Sequence, residues 1–131
     1  MFVDASAAIG IVAHESDRGD LNQRLSKARR VITSPIAIYE SVTGLARSRK
    51  VPLLNAEEAI AVFLKMVGAR TVPVDVRISK LALEAFARYG KGRHKANLNM
   101  GDCFAYACAK AHKVPLLYKG RDFALTDIEV A

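Results

Sequence analysis

The sequence predicts an α/β domain with helices packed around a central, mostly parallel β-sheet. Short apolar segments recur along the chain without the alternation of a half-exposed strand, as expected for strands buried on both faces. Segments with helical spacing and helix-start signals lie between them, which is the usual arrangement of parallel strands joined by helices. The chain has 131 residues, so we expect one domain spanning residues 1–131.

Each element follows from a local pattern. Apolar segments predict strands at residues 1–3, 31–33, 71–74, 114–118 and 128–130. Helices are predicted at residues 5–14 and 17–30, from residue 35, and at 56–67, 76–89 and 100–112. Four of these helices have a candidate N-cap, at Ser34, Asn55, Asp75 and Asn99. Pro35 suits a first helical position, and Glu58 is the expected capping-box partner of Asn55.

Composition excludes several classes of protein. Hydrophobic residues make up 51% and charged residues 25% of the chain, which is typical of a globular protein. No apolar run approaches the ~20 residues that span a bilayer. Residues 5–13 follow Asp4 and no Lys or Arg, so we do not expect a signal peptide. Cys103 and Cys108 have neither zinc-site nor disulfide-framework spacing, so we expect reduced core residues and a cytoplasmic protein.

The charge balance predicts a polyanionic partner. Lys and Arg number 20 against 13 Asp and Glu, for a net charge of +7. Three segments, at 24–30, 47–50 and 88–95, contain several bases and no acid. The last is a predicted loop with glycines that let its backbone approach a phosphate. Its candidate residues for binding the phosphates of a nucleic acid are Lys91, Arg93, His94 and Lys95. A solvated basic surface is the alternative.

Three acids stand apart from these bases. Asp4, Glu40 and Asp102 have no Lys or Arg within four residues, and a carboxylate in an apolar segment is costly unless it is paired or binds a metal. Asp4, Glu40 and Asp122 each follow a predicted strand, and Asp102 lies at a helix start. Ligands of parallel α/β sheets bind beyond the carboxyl ends of the strands. We therefore expect these four carboxylates to meet in one crevice.

Each of these acids also has an ordinary alternative role. Asp4 could only cap the helix that follows it, and Asp102 could complete a capping box with Asn99. Glu40 could lie on the exposed face of an amphipathic helix, and Asp122 could simply occupy a turn. The sequence leaves these alternatives open.

Clustered carboxylates repel one another, so they share protons or bind cations. A shared proton would suit acid–base chemistry on sugars, but that reaction makes no use of the basic charge. A set of oxygen ligands favours Mg²⁺ or Mn²⁺. Zinc is not expected, because His14, His94 and His112 lack ligand spacing. Carboxylate-held Mg²⁺ within a basic protein predicts hydrolysis of phosphodiesters.

The motifs that carry these residues resemble the PIN-domain family, and more narrowly its VapC toxins. They are Met-Phe-Val-Asp-Ala-Ser-Ala at 1–7, Tyr-Glu at 39–40, Tyr-Gly-Lys-Gly-Arg-His at 89–94, Leu-Asn-Met-Gly-Asp-Cys-Phe-Ala-Tyr-Ala at 98–107 and Pro-Leu-Leu-Tyr-Lys-Gly-Arg-Asp-Phe-Ala-Leu-Thr-Asp-Ile at 115–128. The resemblance covers the whole chain, with its motifs in order, but it does not specify an RNA target.

The resemblance implies a three-layer α/β/α fold and a Mg²⁺- or Mn²⁺-dependent nuclease. The matching acidic quartet is Asp4, Glu40, Asp102 and Asp122. Ser6 matches a supporting hydroxyl residue, and Asp127 is the alternative to Asp122 as the fourth acid. Such toxins cleave RNA, often transfer or ribosomal RNA, form homodimers, and are neutralised by a small VapB-like antitoxin.

Two other functions compete with a nuclease. A nucleic-acid-binding module of a repressor complex would use the basic surface and leave the acids without a catalytic role. Such a binder would hold RNA equally well in EDTA and never shorten it. A receiver domain phosphorylated on Asp would also bind Mg²⁺, but it needs an adjacent acidic pair after the first strand, and Asp4 has no acidic neighbour.

Overall fold

Four short parallel strands form the centre of the computed structural model, which describes residues 1–131. They are β1 (Phe2–Val3), β2 (Ile32–Thr33), β3 (Arg70–Thr71) and β4 (Leu116–Leu117). The strand order is β3-β2-β1-β4, and every neighbouring pair is parallel. The expected parallel sheet is therefore confirmed, although each strand is shorter than predicted. The strand predicted at 71–74 was misplaced: β3 consists of Arg70 and Thr71, and both residues are exposed at the edge of the sheet.

Helices cover both faces of this sheet. They are α1 (Ala5–Val12), α2 (Arg18–Ser26), α3 (Pro35–Arg49), α4 (Leu53–Met66), α5 (Val76–Tyr89) and α6 (Met100–His112), with a short 3₁₀ helix at Phe123–Leu125. Ser34, Asp75 and Asn99 cap α3, α5 and α6 through their side chains, as predicted. None of these helices is both long and apolar enough to cross a membrane.

Neighbouring strand residues point into two separate cores. Phe2, Ile32 and Leu116 pack with residues of α5 and α6 on one face of the sheet. Val3 and Leu117 pack with residues of α1, α2, α3 and α4 on the other. The result is three layers, and it explains why the strand segments are apolar on both sides. Cys103 and Cys108 are buried as free thiols, as predicted.

Several predicted boundaries were wrong. Asn55 does not cap α4: the helix begins at Leu53 after Pro52, and no side chain caps it. Pro52, with φ fixed near −55°, is already shaped for a helix start and places Asn55 inside the first turn. Helix α2 ends at Ser26 instead of residue 30, where the chain turns toward β2. Helix α1 ends at Val12, because His14 adopts a left-handed backbone conformation.

The predicted strand at 128–130 was also wrong. Only one bridge, between Leu116 and Val130, joins this segment to β4. The preceding Asp127 is held by tyrosines of α5 and α6. The segment therefore reaches β4 only at Val130, and a single bridge does not make a strand.

Candidate active site

Asp4 is a buried acid at the carboxyl end of β1, only 4% exposed. Its Oδ2 accepts hydrogen bonds from the backbone N–H and the hydroxyl of Ser6, at 3.0 and 2.5 Å. The Ser6 hydroxyl oxygen in turn accepts a hydrogen bond from the backbone N–H of Lys119, at 3.0 Å. Asp4 thus caps α1, and Ser6 also links the end of β1 to the end of β4.

Glu40 lies in the second turn of α3 and reaches the first turn of α6. A Cβ atom added to Gly101 would lie 2.0 Å from both carboxylate oxygens of Glu40. The Glu40 carboxylate therefore fills the space that any larger residue at position 101 would need. Gly101 was not singled out from the sequence. The feature of the sequence that could have identified it is a glycine, a poor helix former, in the first turn of a predicted helix and directly before Asp102.

Asp102 occupies the third position of α6 and completes a capping box. Its Oδ2 accepts a hydrogen bond from the Asn99 backbone N–H at 3.0 Å, and the Asn99 side chain accepts one from the Asp102 N–H at 2.9 Å. The alternative capping role is therefore real. The same carboxylate is close enough to Asp4 and Asp122 for their charges to raise its pKa. Asp102 thus takes part both in the helix cap and in the acidic cluster.

Asp122 and Asp127 have contrasting surroundings. Asp122 is exposed at the start of the 3₁₀ helix, where its side chain forms no capping hydrogen bond. The Asp127 carboxylate accepts hydrogen bonds from Tyr106 (2.7 Å), Tyr89 (3.1 Å) and Lys110 (3.1 Å). Of the two alternative fourth acids, Asp122 is the one whose charge acts on Asp102.

Three acids of the cluster, Asp4, Glu40 and Asp102, hold protons more tightly than isolated carboxylates. The pKa of Glu40 rises to about 7, chiefly because of burial and then because of the charges of Asp4 and Asp102. The pKa of Asp102 rises to about 6, again mainly through burial, while its bond from Asn99 opposes the rise. Burial also raises the pKa of Asp4 against its hydrogen bonds from Ser6. A bound cation would relieve this repulsion.

The donor chemistry of this cluster fits a hard divalent cation. All four side chains offer carboxylate oxygens, and no nitrogen or sulfur ligand is among them. Their positions do not yet surround a common point: no three His, Cys, Asp or Glu side chains are arranged to hold a metal ion. Asp4 and Asp102 each use an oxygen on an internal hydrogen bond. The four residues thus fit the cation in kind, although the Asp4 and Asp102 carboxylates are turned toward donors of the protein itself.

The predicted RNA-binding loop leads directly into this cluster. Its two ends are held together by backbone hydrogen bonds between Lys91 and Leu98 and between Leu98 and Tyr89. Positions 91–95 are all exposed; they include the predicted residues Lys91, Arg93, His94 and Lys95. The Arg93 guanidinium packs over the Phe86 ring, with 5.3 Å between its carbon and the ring centre. The loop ends at Asn99, the N-cap of the helix that carries Asp102.

Comparison with known proteins identifies the family. The sequence profile of the PIN domain matches residues 1–129. The chain belongs to the PIN-domain family. This chain is 38% identical to a VapC ribonuclease of Rhizobium meliloti, over 97% of this chain and 98% of that protein. It is also 38% identical to ribonuclease VapC of Mycolicibacterium smegmatis, over 98% of this chain and 97% of that protein. The resemblance seen in the sequence motifs is therefore confirmed.

Solved structures share this PIN fold. Mycobacterium tuberculosis VapC20, a toxin that cleaves the sarcin–ricin loop, superposes with a TM-score of 0.78 at 20% identity, over 99% of this chain and 97% of its own. A toxin–antitoxin complex from Klebsiella pneumoniae gives a TM-score of 0.72 at 18% identity, over 99% and 95%. The three-layer α/β/α fold implied by the family resemblance is thus confirmed.

Proposed function

We propose that this protein is a Mg²⁺- or Mn²⁺-dependent endoribonuclease and the toxin of a VapBC-type toxin–antitoxin pair. The observation that carries the proposal is the cluster of carboxylates at the carboxyl ends of the strands, beside an exposed basic loop. Burial, and after it the mutual repulsion of the carboxylates, raises the pKa of Glu40 to about 7 and that of Asp102 to about 6. Such a cluster is costly by itself and becomes favourable around a cation.

The four acids have distinct roles in this proposal. Asp4, Glu40, Asp102 and Asp122 hold the cation, and Ser6 keeps the Asp4 carboxylate oriented through its short hydrogen bond. A bound cation lowers the pKa of an attacking water and stabilises charge that develops on the phosphate. Without metal, the Glu40 carboxyl group is partly protonated at neutral pH. In this proposal it loses its proton when the cation binds.

The basic loop supplies the other half of the site. Lys91, Arg93 and Lys95 are exposed cations that form no salt bridge with this chain, so they are free to contact RNA phosphates. Contacts of this kind hold a backbone in place without reading its sequence. His94 packs its ring edge-on against Tyr89, with 5.3 Å between ring centres, so it stiffens the loop in addition to lying among the exposed cations that would contact RNA.

The relatives support the biological setting. VapC ribonucleases match this chain over nearly its full length, and a toxin–antitoxin complex shares its fold. We therefore include in the proposal a VapB-like antitoxin that neutralises the protein, a homodimer as the functional unit, and transfer or ribosomal RNA as the substrate class. The buried reduced thiols of Cys103 and Cys108 agree with a cytoplasmic protein.

RNA-end sequencing tests this function. Purified protein is incubated with total bacterial RNA in Mg²⁺ or in EDTA, and new 5′ ends are mapped. We expect discrete ends in Mg²⁺ alone. An Asp4→Asn preparation made in parallel controls for contaminating nucleases, because it should produce none of these ends.

Two results would overturn the proposal. Equal cutting by the wild-type and Asp4→Asn preparations would assign the cleavage to a contaminant or to another site. RNA that is bound in EDTA and never shortened in Mg²⁺ or Mn²⁺ would instead identify the binding module of a repressor complex.

A further inference from the structure

Asp127 is the centre of a hydrogen-bond cluster that lies beside the proposed active site. Its carboxylate accepts from the hydroxyls of Tyr106 and Tyr89 and from the Lys110 ammonium, and the Arg88 guanidinium lies 3.7 Å from its Oδ2. Both tyrosines are buried, at 5% and 9% exposure, although Asp127 itself is half-exposed. We call Asp127, Tyr89, Tyr106 and Lys110 the Asp127 clamp.

The clamp fastens one end of the loop that carries Asp122. This loop leaves β4 at Lys119, whose backbone N–H is held by the Ser6 hydroxyl. It then passes through Gly120, which has a φ of +103°, reaches Asp122, and ends at Asp127. One end of the loop is thus tied to Ser6, which holds Asp4, and the other end is tied to α5 and α6.

Helix α6 connects the clamp to the acidic cluster. Tyr106 lies four residues after Asp102, so the two side chains share one face of the helix. Asp102 takes part in the cluster near Asp122, and Tyr106 holds Asp127. This face of α6 therefore fixes the distance between Asp102 and Asp127. Asp127 in turn lies at the end of the loop that presents Asp122.

Asp122 needs such support because nothing else orients its side chain. It is exposed and forms no capping hydrogen bond. Within the loop, the buried Phe123 packs its ring against Tyr118, with 4.9 Å between ring centres, and the Thr126 hydroxyl bonds to the Phe123 carbonyl at 2.7 Å. These interactions order the middle of the loop but leave its exit to the clamp.

We propose that Asp127 is a positioning residue: its bonds to Tyr106 and Tyr89 hold the loop so that the Asp122 carboxylate faces Asp102. It is then no metal ligand itself, because the surrounding hydroxyls and ammonium occupy its oxygens. This inference deepens the proposed function and rests on it. Partners that orient ligands in this way affect metal affinity by about 10- to 100-fold.

A double-mutant cycle tests the proposal through metal binding, with no need for catalysis. Mn²⁺ affinity is measured by electron paramagnetic resonance for wild type, Asp127→Asn, Asp122→Asn and the double variant. We expect Asp127→Asn to weaken Mn²⁺ binding about 10-fold in the wild-type background. In the Asp122→Asn background it should have almost no further effect, because the ligand that it positions is already gone.

Tyr106→Phe is the milder second variant, since it removes one hydroxyl and keeps the buried ring. It should weaken Mn²⁺ binding in the same direction and should lower kcat while the KM for RNA stays unchanged. Glu129→Gln is the matched control, an exposed acid two residues away, and should change neither quantity. Equal losses of affinity for Asp127→Asn in both backgrounds, or no loss in either, would overturn the proposal.

Trypsin cleavage after the exposed Arg121 provides a readout on the metal-free protein. We expect Asp127→Asn to accelerate this cut several-fold, while a second site at the end of α3, after the exposed Lys50, is cut at an unchanged rate. An unchanged rate at Arg121 would contradict the proposal even if Mn²⁺ binding falls. Failure of the proposed function has a different signature: wild-type protein that binds no Mn²⁺ and cuts no RNA, whatever the state of the loop.

Discussion

Asp102 in the acidic cluster lies in helix α6, Asp127 in the clamp is bound to the same helix, and their electrostatic surroundings are opposite. In the acidic cluster, burial and neighbouring negative charge raise the pKa of Asp102 to about 6. In the Asp127 clamp, a hydrogen bond from Tyr106, with further bonds from Lys110 and Tyr89, lowers the pKa of Asp127 to about 2. Protein donors already compensate the charge of Asp127, whereas the charge of the cluster remains available to a cation. A carboxylate's neighbours, more than its position in a motif, distinguish a ligand from a structural residue.

Removing a charge from the cluster is the change with the largest expected effect. Asp4→Asn should reduce RNA cleavage by about a thousandfold or more, because the proposed cation site would lose one of its ligands. The melting temperature should stay the same or rise, since a buried charge has been removed. Cleavage rates and thermal melts check both expectations.

The matched control for this prediction is Glu57→Gln, which removes an exposed charge on α4 and should leave cleavage unchanged. Wild-type cleavage by both Asp4→Asn and Asp102→Asn would contradict the assignment of the cluster.

Gly101→Ala should also impair the cluster, without removing any acid. The new methyl group would occupy the place of the Glu40 carboxylate, so Glu40 must move away from Asp102. We expect cleavage to fall about 10- to 100-fold, with little change in stability because the displaced group is the end of a flexible side chain. The comparison variant is Gly19→Ala, which meets nothing within 4 Å. If Gly101→Ala cleaves at the wild-type rate, Glu40 does not act from its observed place.

The basic loop should affect RNA binding more than chemistry. Replacing Lys91, Arg93 and Lys95 by Gln should weaken binding of an inactive Asp4→Asn protein to single-stranded RNA. It should also flatten the salt dependence by about 2 in log–log slope, or about 0.7 for each RNA phosphate that the loop no longer neutralises.

The control for this prediction removes the same charge elsewhere. Arg47→Gln, Arg49→Gln and Lys50→Asn act at the end of α3, and Asn suits the left-handed φ of 52° at position 50. Equal effects of both triple variants would mean that total charge matters and the loop does not.

The smallest expected effect is on stability as a function of pH. Without metal, folded Glu40 keeps its proton up to a pH of about 7, whereas its ordinary pKa is 4.5. Between these values the folded state binds more protons than the unfolded chain, so stability falls as the pH rises. Thermal melts in EDTA should show this decline, and Glu40→Gln should flatten it. A melting temperature that rises through this range by the same amount in both proteins would contradict the raised pKa.

The clamp should respond in the opposite sense. The lowered pKa of Asp127 contributes stability that is present near neutral pH and is lost as the pH falls toward about 2. Asp127→Asn should therefore cost more stability at pH 7 than at pH 3, because part of this contribution is already lost at pH 3. Melts at pH 3 and pH 7 check this difference.

The parts of the fold that could be predicted from the sequence are those set by interactions between residues close together in the chain. Ser34, Asp75 and Asn99 indicated their helices because an N-cap acts on the next few residues. The same logic failed at Asn55, where Pro52 starts the helix earlier. The prediction of a strand at 128–130 was wrong because the preceding Asp127 is held by Tyr89 and Tyr106, which are distant in sequence.

The candidate site shows the same division between local and distant effects. The absence of nearby bases marked Asp4, Glu40 and Asp102 as unusual acids, and the parallel sheet indicated where they would meet. No local pattern could separate Asp122 from Asp127, because the difference comes from tyrosines 21 and 38 residues away from Asp127. The close approach of Glu40 to Gly101 likewise appears only after α3 and α6 pack together.

Proton release on metal binding tests the central claim most directly. Mn²⁺ is titrated into metal-free protein by calorimetry at pH 6.5, in buffers of different ionisation enthalpy. With Glu40 near pKa 7 and Asp102 near 6, binding should release about one proton per site, and Glu40→Gln should release clearly less. Absence of Mn²⁺ binding, or binding without proton release, would contradict the claim that these facing carboxylates form the cation site.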